Sequence, residues 1–131
     1  YKDLQEMTIV ISKNHKNEQL KKLIDIVNFK KVIVMGSVGC KVASILRGES
    51  DIYISLSLPM QSSPKDWDFA APDAILRASG GVITNLENED LIYNKKSFEQ
   101  SGFIIASNNK QNHQKLCDDL KEIIKIYNIL P

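Results

Sequence analysis

The sequence predicts a layered α/β domain with a mostly parallel sheet and helices on both faces. Short β-branched or apolar runs, typical of buried strands, alternate along the chain with segments that carry helical apolar stripes. This alternation favours parallel strands joined by crossover helices. The chain has 131 residues, 43% of them hydrophobic and 25% charged, which is enough for one globular domain with a buried core.

The first half of the chain is predicted to contain three strands and two helices. Apolar runs at 7–11, 31–35 and 51–58 predict the strands. The first helix is predicted over 18–28 from the stripe of Leu20, Leu23, Ile24 and Val27. The second lies between Gly36 and Gly48, and its predicted inward positions are Val42, Ala43, Ile45 and Leu46.

The second half begins with a predicted loop over 58–65 and a helix that starts at Asp68. The Asp68 carboxylate is a good N-cap, Pro72 falls early in the helix, and Gly80 and Gly81 supply the stop. The predicted packing face of this helix consists of Ala70, Ala71, Ala74, Ile75 and Ala78. Short strands are predicted over 81–84, 91–93 and 103–106, with a polar turn at 85–90. The last helix is predicted from Leu116, Leu120, Ile123, Ile124 and Tyr127.

Charge and cysteine content exclude several classes of protein. Seventeen basic and sixteen acidic residues leave a net charge of +1, which favours neither a nucleic-acid polymer nor a membrane surface as partner. Cys40 and Cys117 lie far apart with no histidine at ligand spacing, so reduced thiols are expected rather than a zinc site. No apolar run reaches the roughly 20 residues of a membrane span. The sequence shows no signal peptide, so we expect a cytoplasmic protein.

Three segments that could carry chemistry follow predicted strands, at the edge where open α/β sheets bind ligands. Ser12-Lys13-Asn14-His15 follows the first strand, although a single histidine in a loop is often a surface residue. Gly36-Ser37-Val38-Gly39-Cys40-Lys41 follows the second and could present backbone amides and a lysine to an anion, or form a plain tight turn. Asp68 is either a helix cap or a metal ligand.

Taken together, these segments resemble a known family. The stretch WDFAAPDAILRASGG at 67–81 resembles the C-terminal signature of the inositol monophosphatase superfamily of magnesium-dependent phosphatases. The order Ser-Lys-x-His, Gly-Ser-x-Gly-x-Lys and Trp-Asp-x-Ala-Ala-Pro, followed by GFIIASNN at 102–109, is similar to its 3'(2'),5'-bisphosphate nucleotidase branch. The resemblance extends over almost the whole chain but matches only the family's C-terminal half.

The resemblance implies a hydrolase of sulfur metabolism that removes the 3'-phosphate of adenosine 3',5'-bisphosphate to give AMP and phosphate. Asp68 would then be a catalytic ligand of Mg²⁺. The resemblance assigns His15, Ser37, Gly39 and Lys41 to the substrate pocket, mainly to the phosphate that is not transferred. A lysine charge, a hydroxyl and a glycine turn suit a phosphate dianion, and Mg²⁺ suits carboxylate oxygens.

The chain lacks the family's other metal-ligand motifs, since it contains no Asp-Gly or Asp-Pro dipeptide. One carboxylate cannot assemble the paired-metal site that such phosphoryl transfer uses. We therefore expect residues 1–131 to be the C-terminal domain of a longer phosphatase, inactive alone and dependent on a missing N-terminal half. Two alternatives stay open: an inositol or sugar monophosphatase, and a non-catalytic nucleotide-binding fragment.

Overall fold

The fold is known from a computed structural model, which describes residues 3–12, 18–57, 66–90 and 102–129, without the side chains of residues 57, 66–68 and 102. After a short 3-10 turn (Leu4–Glu6), its elements in chain order are β1 (Thr8–Ser12), α1 (Glu18–Val27), β2 (Lys31–Met35), α2 (Val38–Leu46), β3 (Ile52–Ser57), α3 (Asp66–Ala78), β4 (Val82–Asn85), β5 (Gly102–Ser107) and α4 (Lys110–Ile126). No helix in these ranges is long and apolar enough to cross a membrane.

The five strands form one sheet in the order β2-β1-β3-β5-β4. β1 pairs in parallel with β2 and β3, whereas β5 runs antiparallel to its neighbours β3 and β4. Strands β1 to β4 therefore share one direction and β5 is reversed. The predicted α/β architecture is confirmed, but the sheet is mixed. Strands buried on both faces have similar apolar sequences in either direction, so residue patterns do not reveal the reversal of β5.

Helices cover both faces of the sheet, and each face has its own apolar core. On one face, α1 and α4 contribute Leu20, Leu23, Val27, Leu116, Leu120 and Ile124 to a shared cluster. On the other face, α2 and α3 contribute Val38, Val42, Ile45, Phe69 and Leu76, which pack against Tyr53 and neighbouring strand residues. The prediction of helices on both faces is therefore confirmed.

The predicted bounds of β1 to β5 and α1 agree with the structure to within one residue at each end. These segments combine strong periodicity with clear turn residues at their ends. Sequence patterns are most informative about secondary structure when both features are present. The predicted loop at 58–65 and the predicted strand at 91–93 lie outside the described residues.

The prediction that Asp68 caps α3 is wrong, because the helix begins two residues earlier, at Asp66. Asp68 is the third helical residue, and Pro72 lies inside the helix rather than near its start. An acidic side chain is favourable throughout the first turn of a helix, where it faces the positive end of the helix dipole. The residue type alone therefore could not distinguish the cap from the third position.

The predicted packing face of α3 is also wrong. Ala70, Ala71, Ala74 and Ala78 are exposed, as is 55% of Ile75, while the buried face carries Phe69, Asp73 and Leu76. Both sets have helical spacing. The face with Phe69 and Leu76 is the buried one because each of these side chains removes more apolar area from water than an alanine does.

Two smaller corrections concern α2 and α4. Leu46 was expected to point inward but is 39% exposed, and Ala43 is only half-buried. Lys41 and Ser44 are buried beside Val42 and Ile45. Tyr127, expected on the inner stripe of the last helix, is 50% exposed because α4 ends at Ile126.

The end of α3 follows the prediction from its two glycines. Gly80 adopts a φ of +89°, and Gly81 donates its backbone N–H to the Leu76 carbonyl at 2.9 Å. Gly81 is a steric requirement, since a Cβ at this position would lie 2.5 Å from the Ser107 carbonyl oxygen.

One ion network links α3 to the turn after β4. The Arg77 guanidinium donates to the carboxylates of buried Asp73 and exposed Asp90, each at 2.8 Å. Burial by itself would lower the pKa of Arg77, but the hydrogen bonds and charges of Asp90 and Asp73 outweigh it and raise that pKa.

Candidate functional site

The candidate site lies at the edge of the sheet where β1, β2 and β3 end. Because these strands are parallel, their carboxyl ends share one edge. Helix α2 begins there, directly after Gly36 and Ser37, and α3 leads away from the same edge back to the start of β4. Two helix N-termini are thus directed at one edge, where they attract an anion.

The turn between β2 and α2 is organised by Ser37. Its Oγ accepts the Cys40 N–H at 3.1 Å, and its carbonyl accepts the Lys41 N–H at 3.1 Å. The first four amides of a helix have no partner within it. The amides of Val38 and Gly39 are the two that remain without an acceptor among the described residues. Exposed Ser37 can also donate its hydroxyl hydrogen, so this turn offers three donors.

The glycines of this turn leave space above the backbone. A Cβ on Gly36 would meet no atom of the described residues within 4 Å, and the one described neighbour of a Cβ on Gly39 would be Ser37 Oγ, at 3.9 Å. Neither glycine has the positive φ found at Gly48 and Gly80, so the backbone conformation does not require glycine here. The clearance permits a ligand to approach the amides closely.

Lys41 lies beneath this turn rather than in solvent. Its side chain is only 2% exposed, and its ammonium donates to the Gly36 carbonyl at 3.3 Å. The same ammonium lies 4.9 Å from the centroid of the Tyr53 ring. Its positive charge is therefore fixed under the backbone that carries the outward amides.

The structure brings together three of the five predicted site residues. Ser37, Gly39 and Lys41 meet in one turn. The backbone of Asp68 lies in the first turn of α3, but its side chain is not described, and His15 lies outside the described residues. Their assignment to the site stays a prediction.

Sequence reasoning missed Tyr53 as a neighbour of the site. A signal for the burial of Lys41 existed, because Val38, Lys41, Val42 and Ile45 follow the i, i+3, i+4, i+7 spacing of one helix face. The contact with Tyr53 joins residues on different elements, and a single sequence offers no pattern for it.

A magnesium site is not formed by the described residues alone. Among them there is no group of three or more His, Cys, Asp or Glu side chains placed to hold a metal ion. Mg²⁺ needs several hard oxygen ligands, and Asp68 supplies one carboxylate. The donors described do not fit the ion by themselves, so no catalytic step is derived through it.

Two hollows occur at the opposite edge of the sheet. One of about 240 Å³ is lined by residues that include Asp51, Ser107 and Asn112. The other, of about 630 Å³, lies between the end of α3 and the start of α4 and is lined by residues that include Gly80 and Lys110. Both hollows lie outside the predicted site. They are other places on the described surface against which ligand binding at the predicted site can be compared.

The fold and the turn after β2 define a class of protein. Residues 4–125 match the Inositol monophosphatase family, and the chain belongs to that family. The predicted resemblance to this superfamily is confirmed.

Individual relatives divide between two activities. A 3'(2'),5'-bisphosphate nucleotidase 1 of Dictyostelium discoideum is 30% identical over 122 residues, which is 91% of this chain and 37% of the relative. Inositol monophosphatase 3 of Xenopus tropicalis is 28% identical over 127 residues, which is 91% of this chain and 33% of that protein. The chain therefore spans about a third of the length of these relatives.

Solved structures confirm the fold. A staphylococcal IMPase-II with inositol monophosphate bound matches with a TM-score of 0.70 and 22% identity, over 98% of this chain and 46% of that chain. The 2'AMP-bound form of SaIMPase-II matches with a TM-score of 0.65 and 24% identity, over 94% of this chain and 44% of that chain.

Proposed function

We propose that this chain is the substrate-recognition half of a phosphatase that removes the 3'-phosphate of adenosine 3',5'-bisphosphate to give AMP and phosphate. The observation that carries the proposal is the turn after β2, which has donors available at Ser37, Val38 and Gly39 and no described residue close to its glycines. The Dictyostelium relative, named as a bisphosphate nucleotidase, supports the nucleotide substrate.

The turn would hold the phosphate that is not transferred. The Ser37 hydroxyl and the two free amides donate to its oxygens, and hydrogen bonds to a charged acceptor are the strong ones. Lys41 adds positive potential from below, with little screening because it is buried. His15, predicted for the same pocket, would contact the nucleotide.

Asp68 would be one ligand of Mg²⁺, at the start of α3. Bound magnesium would polarise the reacting phosphate and its attacking water. The remaining carboxylates would come from an N-terminal half, so the chain alone is expected to be inactive. A cytoplasmic location and a place in sulfur metabolism are further predictions of the same proposal.

Phosphate release tests the proposal. We would assay this chain, and the longest polypeptide encoded in frame with it, on adenosine 3',5'-bisphosphate and on inositol 1-phosphate with Mg²⁺. The longer polypeptide should hydrolyse the bisphosphate with the higher kcat/KM, and the chain alone should release no phosphate. Turnover by the chain alone would contradict the proposal that catalysis also requires an N-terminal half.

An inositol or sugar monophosphatase is the second candidate. The Xenopus relative and the inositol monophosphate-bound staphylococcal structure favour it. Substitution Lys41→Met separates the two candidates, because a monophosphate has no second phosphate for the turn to hold. A monophosphatase has no need of Lys41, so little loss of kcat/KM on either substrate would favour it. An equal loss on both substrates would place Lys41 near the metals or in the fold, and the nucleotidase proposal would lose its main physical support. Nucleotide binding with no turnover by the longer polypeptide would favour a non-catalytic binding protein.

A further inference from the structure

Lys41 and Tyr53 form a contact that the proposed recognition site does not yet use. Tyr53 lies on β3, is 1% exposed, and packs in the core between the sheet and helices α2 and α3. Its ring centroid lies 4.9 Å from the Lys41 ammonium, which also donates to the Gly36 carbonyl. The ring and the carbonyl together restrict where this charge can lie.

The contact with the ring contributes to holding the ammonium in that position. A lysine side chain has four rotatable bonds, and fixing it costs conformational entropy. An ammonium within about 6 Å of an aromatic ring centroid is attracted by the ring's electron-rich face, most strongly when both groups are removed from water. Both groups are buried here, so the ring offsets much of that entropy and keeps the charge directly under the turn.

We propose that Tyr53 is the positioning residue of Lys41: its ring face holds the ammonium at the Gly36 carbonyl, and this fixed charge sets the preference of the turn for a phosphate. The link to phosphate rests on the proposed function, whereas the contact with the ring does not. The two parts are tested separately.

The first measurement tests the contact and uses the chain as it is. Protons over an aromatic ring are shifted upfield by the ring current. The ε-methylene protons of Lys41, assigned by NMR, should therefore resonate upfield of those of exposed lysines such as Lys22. They should stay upfield in Tyr53→Phe, which keeps the ring, and lose the shift in Tyr53→Leu. Resonances at exposed-lysine positions in the parent chain would overturn the proposal.

The second measurement tests the link to phosphate. The dissociation constant for adenosine 3',5'-bisphosphate is measured for the parent chain, Tyr53→Phe, Tyr53→Leu, Lys41→Met and the double variant Lys41→Met/Tyr53→Leu. The loss expected for a desolvated cation–π contact is roughly tenfold. Tyr53→Leu should weaken binding by that factor, and Lys41→Met by at least as much. Tyr53→Phe should bind like the parent, and the double variant should bind no worse than Lys41→Met.

Each other outcome is decisive. Weaker binding in Lys41→Met without weaker binding in Tyr53→Leu would overturn the positioning role. Identical losses in Tyr53→Phe and Tyr53→Leu would assign the effect to the hydroxyl and overturn the role of the ring. Unchanged binding in Lys41→Met would contradict the proposed function. The ring-current measurement would still show whether the Lys41 ammonium lies over the Tyr53 ring. If Tyr53→Leu does not fold, the parent and Tyr53→Phe spectra decide it.

Discussion

At the scale of single residues, a substitution at Gly39 distinguishes an effect on protein stability from an effect on ligand binding. Among the described residues, a Cβ there would meet only Ser37 Oγ, at 3.9 Å, so Gly39→Ala should fold and gain up to about 1 kcal/mol of stability. The methyl group would occupy the space beside the free amides. We expect roughly tenfold weaker binding of adenosine 3',5'-bisphosphate, the loss of about one hydrogen bond to a charged group, measured by titration.

Gly81→Ala is the matched control for this substitution. Its Cβ would lie 2.5 Å from the Ser107 carbonyl oxygen and 2.7 Å from a Leu76 methyl carbon. The variant should lose about 1–3 kcal/mol in the free energy of unfolding. If Gly39→Ala bound the nucleotide as tightly as the parent, the turn would not be the phosphate site.

Asp68 and Asp66 form a natural pair for testing the metal assignment. Both lie in the first turn of α3, where each carboxylate is favourable by about 0.3–1 kcal/mol near the helix N-terminus. Asp68→Asn and Asp66→Asn should therefore cost similar stability. In the longer polypeptide, Asp68→Asn alone should abolish magnesium-dependent phosphate release. Retained turnover in Asp68→Asn would make Asp68 a purely structural residue.

The sequence predicted residue types at the site better than their orientation. Ser37 and Gly39 lie where a glycine turn after a strand should place them, because that geometry is local. The burial of Lys41 has a signal in the helical spacing that it shares with Val38, Val42 and Ile45. Its contact with Tyr53 depends on how α2 packs on β3, a long-range property that residue spacing does not encode.

At the scale of secondary-structure elements, His113 joins α4 to strands β4 and β5. Its Nε2 lies 2.7 Å from Thr84 Oγ1 and its Nδ1 lies 2.7 Å from Ser107 Oγ. Thr84 already donates its hydroxyl hydrogen to the Asn85 carbonyl at 2.8 Å. Nε2 therefore carries the proton and Nδ1 accepts from Ser107. All three side chains are almost completely buried, so the neutral imidazole is fixed in one tautomer.

This arrangement predicts a loss of stability in mild acid. Burial, and then the nearby charge of Arg77, lower the pKa of His113 from 6.5 to about 4. The unfolded chain then binds a proton that the folded chain does not, so stability is complete above pH 7 and falls between about pH 6.5 and 4. The expected loss is about 1 kcal/mol at pH 5.5, and about 3 kcal/mol once the pH is below 4.

Urea unfolding at pH 7.5 and 5.5 measures this loss. His113→Gln keeps a donor and an acceptor but cannot titrate, so the difference between parent and variant isolates the histidine. The parent should lose about 1 kcal/mol more than the variant between the two pH values. Equal losses would show that His113 does not control the stability of this junction.

The elements also show where sequence reasoning was limited. The positions of the strands and of the first helix were predicted well because the apolar spacing of each segment fits only one type of secondary structure. Helix α3 carries two stripes of helical spacing: the predicted stripe of four alanines and Ile75, and the buried stripe with Phe69 and Leu76. Choosing between such stripes requires knowing what each one faces.

At the scale of the whole molecule, one face of α3 is apolar and exposed to solvent. Ile75 is 55% exposed among four exposed alanines, on a helix that packs against the sheet on its other side. We expect this face to bind a hydrophobic dye in the isolated chain. Ile75→Lys should reduce the dye fluorescence while changing stability by less than about 0.5 kcal/mol.

Ile126 provides the control for this prediction. It is 64% exposed at the end of α4, on the other side of the sheet. Ile126→Lys should leave most of the dye binding intact. Equal reductions in both variants would show that α3 carries no special apolar surface.

The central claim is that the turn after β2 recognises a nucleotide phosphate, and amide chemical-shift mapping tests it most directly. The ¹⁵N-labelled chain is titrated with adenosine 3',5'-bisphosphate without metal. The account predicts that the largest saturable shifts occur at the amides of Ser37, Val38 and Gly39. Shifts confined to the hollow beside Gly80 and Lys110, or no saturable shifts at the turn, would contradict it.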